Sequence, residues 1–239
     1  MNELLDLALR AHGGLEQWQG VRSLDVTFNF SGGLLDLKGF PGYYTPTVNV
    51  DARKPHTVLR DFFKNGDVGF YTPDRVWIES ADGKLVEERR DPRGAFKGHV
   101  RETPWDRLHF TYFIGYAMSN YLTTPFIFAL PGFQLRELEE HREGLDTWRV
   151  LEVTFPPEIP AHTTVQKFYF DSTGALKRLD YMTDVLGGVA AHYCFDPKQF
   201  GGLTIPTFRR VVRRTPEGPL VSGPTSFKLD YTAVKVHRD

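Results

Sequence analysis

An aspartate and a histidine, Asp180 and His192, are the two residues whose spacing best suits acid–base chemistry. The turn signal at Asp171–Gly174 joins two strands and places Gln166 opposite Asp180. A Gly-Gly pair closes the next hairpin, so Asp180 faces His192 or Tyr193, within a register error of one residue. A carboxylate beside an imidazole orients the ring and raises its pKa, so the pair would act as a general acid and base.

The same strands also allow an interpretation without chemistry. Lys177, Arg178 and Asp184 are close to Asp180 in the sequence, and such a group is typical of a solvated outer face of charges. His162 ends a loop with three prolines at the same rim of the sheet. It is either part of the site or an ordinary loop residue.

A second group of candidate residues is aromatic and lies in the segment 105–133. Four side chains with polar ring atoms or hydroxyls occur within 13 residues of it, which a purely structural core would have to satisfy. We therefore predict an apolar ligand pocket; the alternative is that these rings fill the core. The predicted ligand-binding residues are Trp105, His109, Tyr112, Phe113, Tyr116, Tyr121, Phe126, Phe128, Gln166 and Tyr193.

The aromatic residues belong to a predicted helix over 105–122. Thr103, Pro104 and Asp106 are typical of a helix start, with a capping hydroxyl, a proline in the first turn and an acid three residues later. At ~100° per residue the apolar side chains point almost all round the helix. A helix of this kind is surrounded by protein or fills a cavity, so we expect a helical lid or plug at about 103–130.

The flanking sequence predicts strands. Val21–Ser31 alternates between apolar and polar residues, and further short runs recur at an even spacing between turn signals. We also expect a strand at Leu34–Phe40. An antiparallel sheet of roughly eleven strands cannot lie flat. The predicted fold class is α+β: one domain, residues 1–239, in which a large curved antiparallel sheet, a half-barrel, encloses the central helix.

Composition excludes several classes of function. The net charge is −1, which gives no global field toward nucleic acid or an anionic membrane. One cysteine, Cys194, and eight histidines without metal-ligand spacing predict neither a metal site nor another cofactor. The segment 105–122 is too short and too polar for stable membrane insertion. The N-terminus is not typical of a signal peptide, so we expect a cytoplasmic protein unless a leader has been removed; the oligomeric state stays open.

Four arginines near the end of the chain form a basic cluster: Arg209, Arg210, Arg213 and Arg214. Strand alternation divides them between two faces. They are interpreted as a soluble strand edge that deters further strand addition or, alternatively, as a site for an anionic head group at the rim of a cavity.

The order of elements resembles the lipoprotein-localisation-factor superfold, the LolA- and LppX-like half-barrels. The features in common are the N-terminal helix, the strand meander, the mid-chain helical lid and the hairpin FYFDSTGALKRLDY at 168–181. The segment from His162 through GGLTIPTFRR also resembles a group of bacterial proteins with no assigned function. The resemblance implies a half-barrel whose helices cover an apolar cavity.

Three hypotheses of function follow. The first is a binding protein that holds a hydrophobic small molecule or acyl chain between the sheet and the 105–122 helix. The second is an enzyme without a cofactor, a cyclase, isomerase or hydrolase, that uses the same cavity with Asp180 and His192 or a tyrosine as acid and base. The third is an interaction scaffold that uses an edge strand and no cavity.

Overall fold

The computed structural model describes residues 2–239, which form one large antiparallel sheet and a few helices. The sheet order is β6-β5-β4-β3-β2-β1-β14-β12-β11-β10-β9-β8-β7, and the short β13 pairs with β12. The path ends at β6 and at β7, which do not pair with each other. The predicted α+β half-barrel is therefore confirmed, with more strands than the sequence indicated.

The elements have these bounds. The strands are β1 (Val21–Ser31), β2 (Thr47–Asp51), β3 (Thr57–Arg60), β4 (Val68–Thr72), β5 (Arg75–Glu79), β6 (Leu85–Arg90), β7 (Gln134–Glu143), β8 (Asp146–Thr154), β9 (Val165–Phe170), β10 (Leu176–Met182), β11 (Val189–Phe200), β12 (Leu203–Thr215), β13 (Gly218–Pro219) and β14 (Thr225–Arg238). The helices are α1 (Glu3–Ala11), α2 (Leu15–Gln19), α3 (Gly33–Leu37) and α4 (Arg107–Thr123), with short 3₁₀ segments at Lys64–Gly66, Gly94–Phe96 and Phe126–Ala129.

Strand β1 lies in the middle of the sheet and shows how the pattern specifies it. Leu24, Val26, Phe28 and Phe30 are buried on one face, as the alternation predicts. The strand pairs with β14 on one side and with β2 on the other. Its apolar face contributes to the main hydrophobic core on the concave side of the sheet.

Helix α4 lies against the concave side, where it packs on β2, β3, β4 and β5. From Leu108 to Thr123 every residue except His109 is buried, in agreement with the nearly uniform apolar surface of the predicted helix. The N-cap is Asp106 and not Thr103. The Asp106 carboxylate accepts from the His109 amide at 2.8 Å, and the His109 ring accepts from the Asp106 amide in return.

The predicted strand at Leu34–Phe40 is wrong. Gly32 has a φ of 139°, and the chain turns there into α3. Leu34 and Leu35 are buried, and Leu37 packs against the same core. Leu34 and Leu37 are about one helical turn apart, and in a strand Leu34 and Leu35 would point to opposite faces. No helix within residues 2–239 is long and apolar enough to cross a membrane.

Candidate functional site

Asp180 and His192 do not form a pair. Asp180 lies opposite Ala191, and His192 lies opposite Leu179. The register is one residue away from the position that brings the two together, and a shift of one residue moves a side chain to the other face of a sheet. The predicted catalytic pair is therefore divided between the convex and the concave side.

On the convex side Asp180 neutralises arginines. It contacts Arg178 at 2.9 Å and Arg214 at 3.0 Å, and the Tyr169 hydroxyl donates to it at 2.9 Å. The Arg178 guanidinium is fully buried and lies 4.0 Å from the centre of the Tyr169 ring. Tyr193 belongs to the same cluster and donates to Glu143 at 2.6 Å.

Gln166 is also displaced by one position, because Asp180 lies opposite Lys167. Gln166 is buried, and its side-chain amide donates to the Thr163 carbonyl at 3.1 Å. Gln166 and Tyr193 are thus held by local contacts on opposite faces of the sheet.

On the concave side five buried rings form one continuous polar chain. Tyr116 and Tyr121 lie on either side of His162, with hydroxyl-to-nitrogen distances of 3.0 Å to Nδ1 and 2.6 Å to Nε2. The Tyr121 and Tyr181 hydroxyls are 3.2 Å apart, and the Tyr181 hydroxyl is 3.4 Å from His192 Nδ1. His162 and Tyr181 stack with ring centres 4.0 Å apart. The sequence allowed two interpretations of His162, and the structure places this residue at the centre of the chain.

Arg209 fixes the direction of hydrogen bonding at the His192 end of the chain. Arg209 can only donate, and its Nη1 lies 3.4 Å from His192 Nε2, so that nitrogen is the acceptor. A neutral imidazole then carries its proton on Nδ1 and donates to Tyr181. The arrangement in which each remaining group donates once runs from Tyr181 to Tyr121, from Tyr121 to His162 Nε2, and from His162 Nδ1 to Tyr116.

The two histidines in the chain are neutral because they are buried. Burial, and to a smaller extent the Arg93 guanidinium, lower the pKa of His162 to about 3. Burial, together with the Arg209 charge, lowers the pKa of His192 well below its usual range. Burial raises the pKa of Tyr121 well above its usual range. No carboxylate in the described part of the chain raises the pKa of His192, contrary to the prediction. The hydrogen bonds between the neutral groups of the chain stabilise the interior instead.

Arg209 is a buried cation without a carboxylate partner among residues 2–239. Its remaining hydrogen bonds go to the Cys194 sulfur at 3.2 Å and to the Tyr121 carbonyl at 3.3 Å. The guanidinium also lies 5.3 Å from the centre of the Tyr121 ring. The spacing of the four arginines indicated a basic cluster here, but it did not indicate that Arg209 is fully buried.

The other predicted ligand-binding residues pack against their neighbours. Trp105 and Phe113 are in contact with ring centres 5.0 Å apart, and Phe128 contacts Phe168 at 4.7 Å. His109 caps α4, and Phe126 stacks on Trp18 at 4.4 Å. Tyr112 accepts from Arg93 at 3.4 Å. Most of these rings are packed in the core, but Phe113 also borders an opening beside α4, and Tyr112 borders another beside Arg93.

Little space remains between α4 and the middle of the sheet. A void bordered by Phe113, Tyr121 and Leu229 has a volume of about 10 Å³. A larger opening, the Trp18 cleft, lies beside the C-terminal half of α4 and has a volume of about 270 Å³. Its walls come from α2, the β1–β2 side of the sheet, α4 and the segment after α4. The apolar lining residues are Trp18, Val21, Ala52, Pro55, Ile127, Leu130 and Ile159, and the charged residues Asp51, Arg53 and Lys54 also border the cleft.

A third opening, the mouth pocket, lies on the other side of α4. It has a volume of about 70 Å³ and is bordered by His162 and Tyr181 from the polar chain. Within residues 2–239 no cluster of three or more histidine, cysteine or acidic side chains is arranged to hold a metal ion.

Similarity to solved structures extends over nearly the whole chain. The first is a putative outer membrane lipoprotein-sorting protein domain from Vibrio parahaemolyticus, with a TM-score of 0.58, 11% identity, and coverage of 98% of this chain and 92% of that one. A LolA superfamily protein from Nitrosomonas europaea has a TM-score of 0.54 and 10% identity, over 94% and 92% of the two chains. The chain has the LolA-like fold.

A third protein with the LolA-like fold extends the comparison. It is a DUF1329 family protein from Desulfovibrio piger, with a TM-score of 0.56, 13% identity, and coverage of 98% of this chain and 91% of that one. No family model and no curated protein matches the sequence. At identities this low the likeness concerns the fold.

Proposed function

We propose that the protein binds a hydrophobic small molecule or acyl chain in the Trp18 cleft, between the sheet and α4. The observation that supports this proposal most strongly is the cleft itself, a mainly apolar concavity of about 270 Å³ that is open to solvent. It lies beside α4, which is otherwise buried. The LolA-like fold supports this proposal, because one of the structures that share it is described as a putative lipoprotein-sorting domain.

The lining of the Trp18 cleft suits an alkyl chain. Trp18 is fixed by its stacking on Phe126, with the rings 3° from parallel. Ile127 and Leu130 present aliphatic side chains, and the polar Ser119 and Thr123 contribute to the helix side. The Thr123 hydroxyl donates to the Ser119 carbonyl at 2.8 Å, so the helix side offers few free polar groups. Burial of alkyl groups here yields roughly 0.8 kcal/mol per methylene.

The size of the cleft limits what it holds in this conformation. Ligand pockets in proteins are roughly 300–1,000 Å³, and the Trp18 cleft is just below that range at about 270 Å³. It accommodates a short apolar molecule or one end of a longer chain whose remainder extends into solvent.

A second candidate function, a cyclase, isomerase or hydrolase without a cofactor, is favoured by one observation. Tyr181 and His162 both border the mouth pocket and are joined through Tyr121 in the polar chain. In this hypothesis they replace Asp180 and His192 as acid and base.

The proposed function predicts the effect of a charge placed in the cleft. Leu130 lines the cleft and is 49% exposed, so Leu130→Asp should leave the fold intact. We expect the affinity for an uncharged ligand such as dodecanol, measured by displacement of Nile red, to fall about tenfold or more, because an alkyl chain would desolvate the carboxylate.

Val165→Asp is the matched control, since Val165 is 45% exposed and lies on β9 away from the cleft. It should bind dodecanol like the wild-type protein. Equal losses in the two variants, or no binding of Nile red and dodecanol by the wild type, would refute the proposed function.

A further inference from the structure

The mouth pocket lies where the concave face of the sheet meets α3. Leu34 from α3, Phe113 from α4 and Phe227 from β14 form its apolar walls. Tyr181 and Ala190 form its floor and are directly opposite each other on neighbouring strands. The pocket is thus a small apolar space with polar groups on one side.

Two arginines border this pocket. Arg101 reaches it from the segment before α4, and Arg213 reaches it from β12. In the part of the chain that the structure describes, neither forms an ion pair, whereas the nearby Arg93 is paired with Asp184 at 2.8 Å. Two positive charges at one apolar opening attract an anion.

Arg209 adds a third positive charge deeper on the same face. Arg213, Val211 and Arg209 alternate along β12, so their side chains share the concave side. Arg209 is fully buried and has no carboxylate partner among residues 2–239. The carboxylate of Asp180, two strands away, is on the opposite face with Arg178 and Arg214. The interior next to the pocket is therefore positive and lacks a negative group.

We propose that the mouth pocket is a second binding site, which takes an organic carboxylate with a short apolar tail. The carboxylate lies between Arg101 and Arg213 at the rim, and the tail points inward between Phe113 and Phe227. Guanidinium groups bind carboxylates by charge-assisted hydrogen bonds, often two at once.

The volume of the pocket sets the length of the tail. About 70 Å³ of space holds roughly two to three groups the size of a methylene or a water molecule. Beyond Phe113 and Phe227 only the void of about 10 Å³ follows. Butyrate therefore fits the pocket, and a much longer tail has to displace Phe113 from its contacts.

The test compares butyrate with butyramide, which has the same shape but no charge. Titration of the wild-type protein, followed by amide NMR shifts around Ala190 and Ser226, should show butyrate binding at least fivefold more tightly than butyramide. Arg213→Gln and Arg101→Gln should each weaken butyrate binding about fivefold and leave butyramide binding unchanged.

Arg90→Gln is the control, since Arg90 is an exposed arginine on β6 at the far edge of the sheet. It should bind butyrate as the wild type does. Equal binding of butyrate and butyramide, no binding of either, or the same effect from Arg90→Gln as from Arg213→Gln would overturn the proposal. Leu130→Asp separates the two sites, because it should weaken dodecanol binding and leave butyrate binding unaffected.

Discussion

Replacing Gly115 with alanine is expected to destabilise the protein by about 3 kcal/mol, although alanine is the better helix former. Gly115 lies in the middle of α4, where the helix packs against β4. A Cβ atom built at this position would lie 2.3 Å from Cγ and 2.4 Å from Cβ of Tyr71. Tyr71 is buried, and the Gly115 carbonyl accepts from Thr57 at 2.9 Å, so neither side has room to move.

The matched control is Gly33→Ala in α3. A Cβ atom at Gly33 meets nothing closer than the Thr225 carbonyl oxygen at 3.9 Å. Urea unfolding should show Gly33→Ala within about 0.5 kcal/mol of the wild type or slightly more stable. If Gly115→Ala is as stable as the wild type, this result would contradict the close contact between α4 and Tyr71 on the sheet.

Acid is expected to unfold the protein through its buried histidines. The pKa of His162 falls from its ordinary value of 6.5 to about 3 on folding, because the ring is buried. Between these two values the unfolded chain binds a proton that the folded chain does not. Stability therefore decreases as the pH falls through 6.5 toward 3, by about 1.4 kcal/mol per pH unit well below 6.5. His192 shifts in the same direction for the same reason.

The measurement is the free energy of unfolding in urea at pH 7, 6 and 5, a range in which most carboxylates contribute little. His162→Gln should make the decrease shallower, because one of the buried imidazoles no longer titrates. A free energy that stays constant from pH 7 to pH 5 would contradict the burial of a neutral His162.

The sheet was accessible from sequence because its evidence is local. In β1 the alternation of Leu24, Val26 and Phe28 with polar residues is complete within one strand. The strand prediction for residues 34–40 was wrong for a related reason, because a short leucine-rich run is compatible with a helical turn as well as with a strand. Tertiary contacts of Leu34 and Leu35 decide between them.

The site was less accessible because it depends on register and on distant contacts. An error of one residue in the β10–β11 hairpin placed His192 beside Asp180 instead of beside Leu179. His162 enters the core from a loop and meets Tyr121, 41 positions earlier in the chain, and no local pattern reports such a contact. The aromatic residues of α4 correctly indicated burial. The sequence pattern of rings that pack in a core is, however, the same as that of rings that line a cavity.

The most direct test of the central claim is to locate a bound apolar molecule. A dodecanol analogue with a diazirine near its chain end would be photolysed with the protein and its adducts mapped by peptide mass spectrometry. Occupation of the Trp18 cleft predicts adducts on Trp18, Ile127, Leu130 or Ile159, and excess dodecanol should suppress them. Adducts confined to exposed apolar residues elsewhere, such as Leu145 and Leu220, would contradict it.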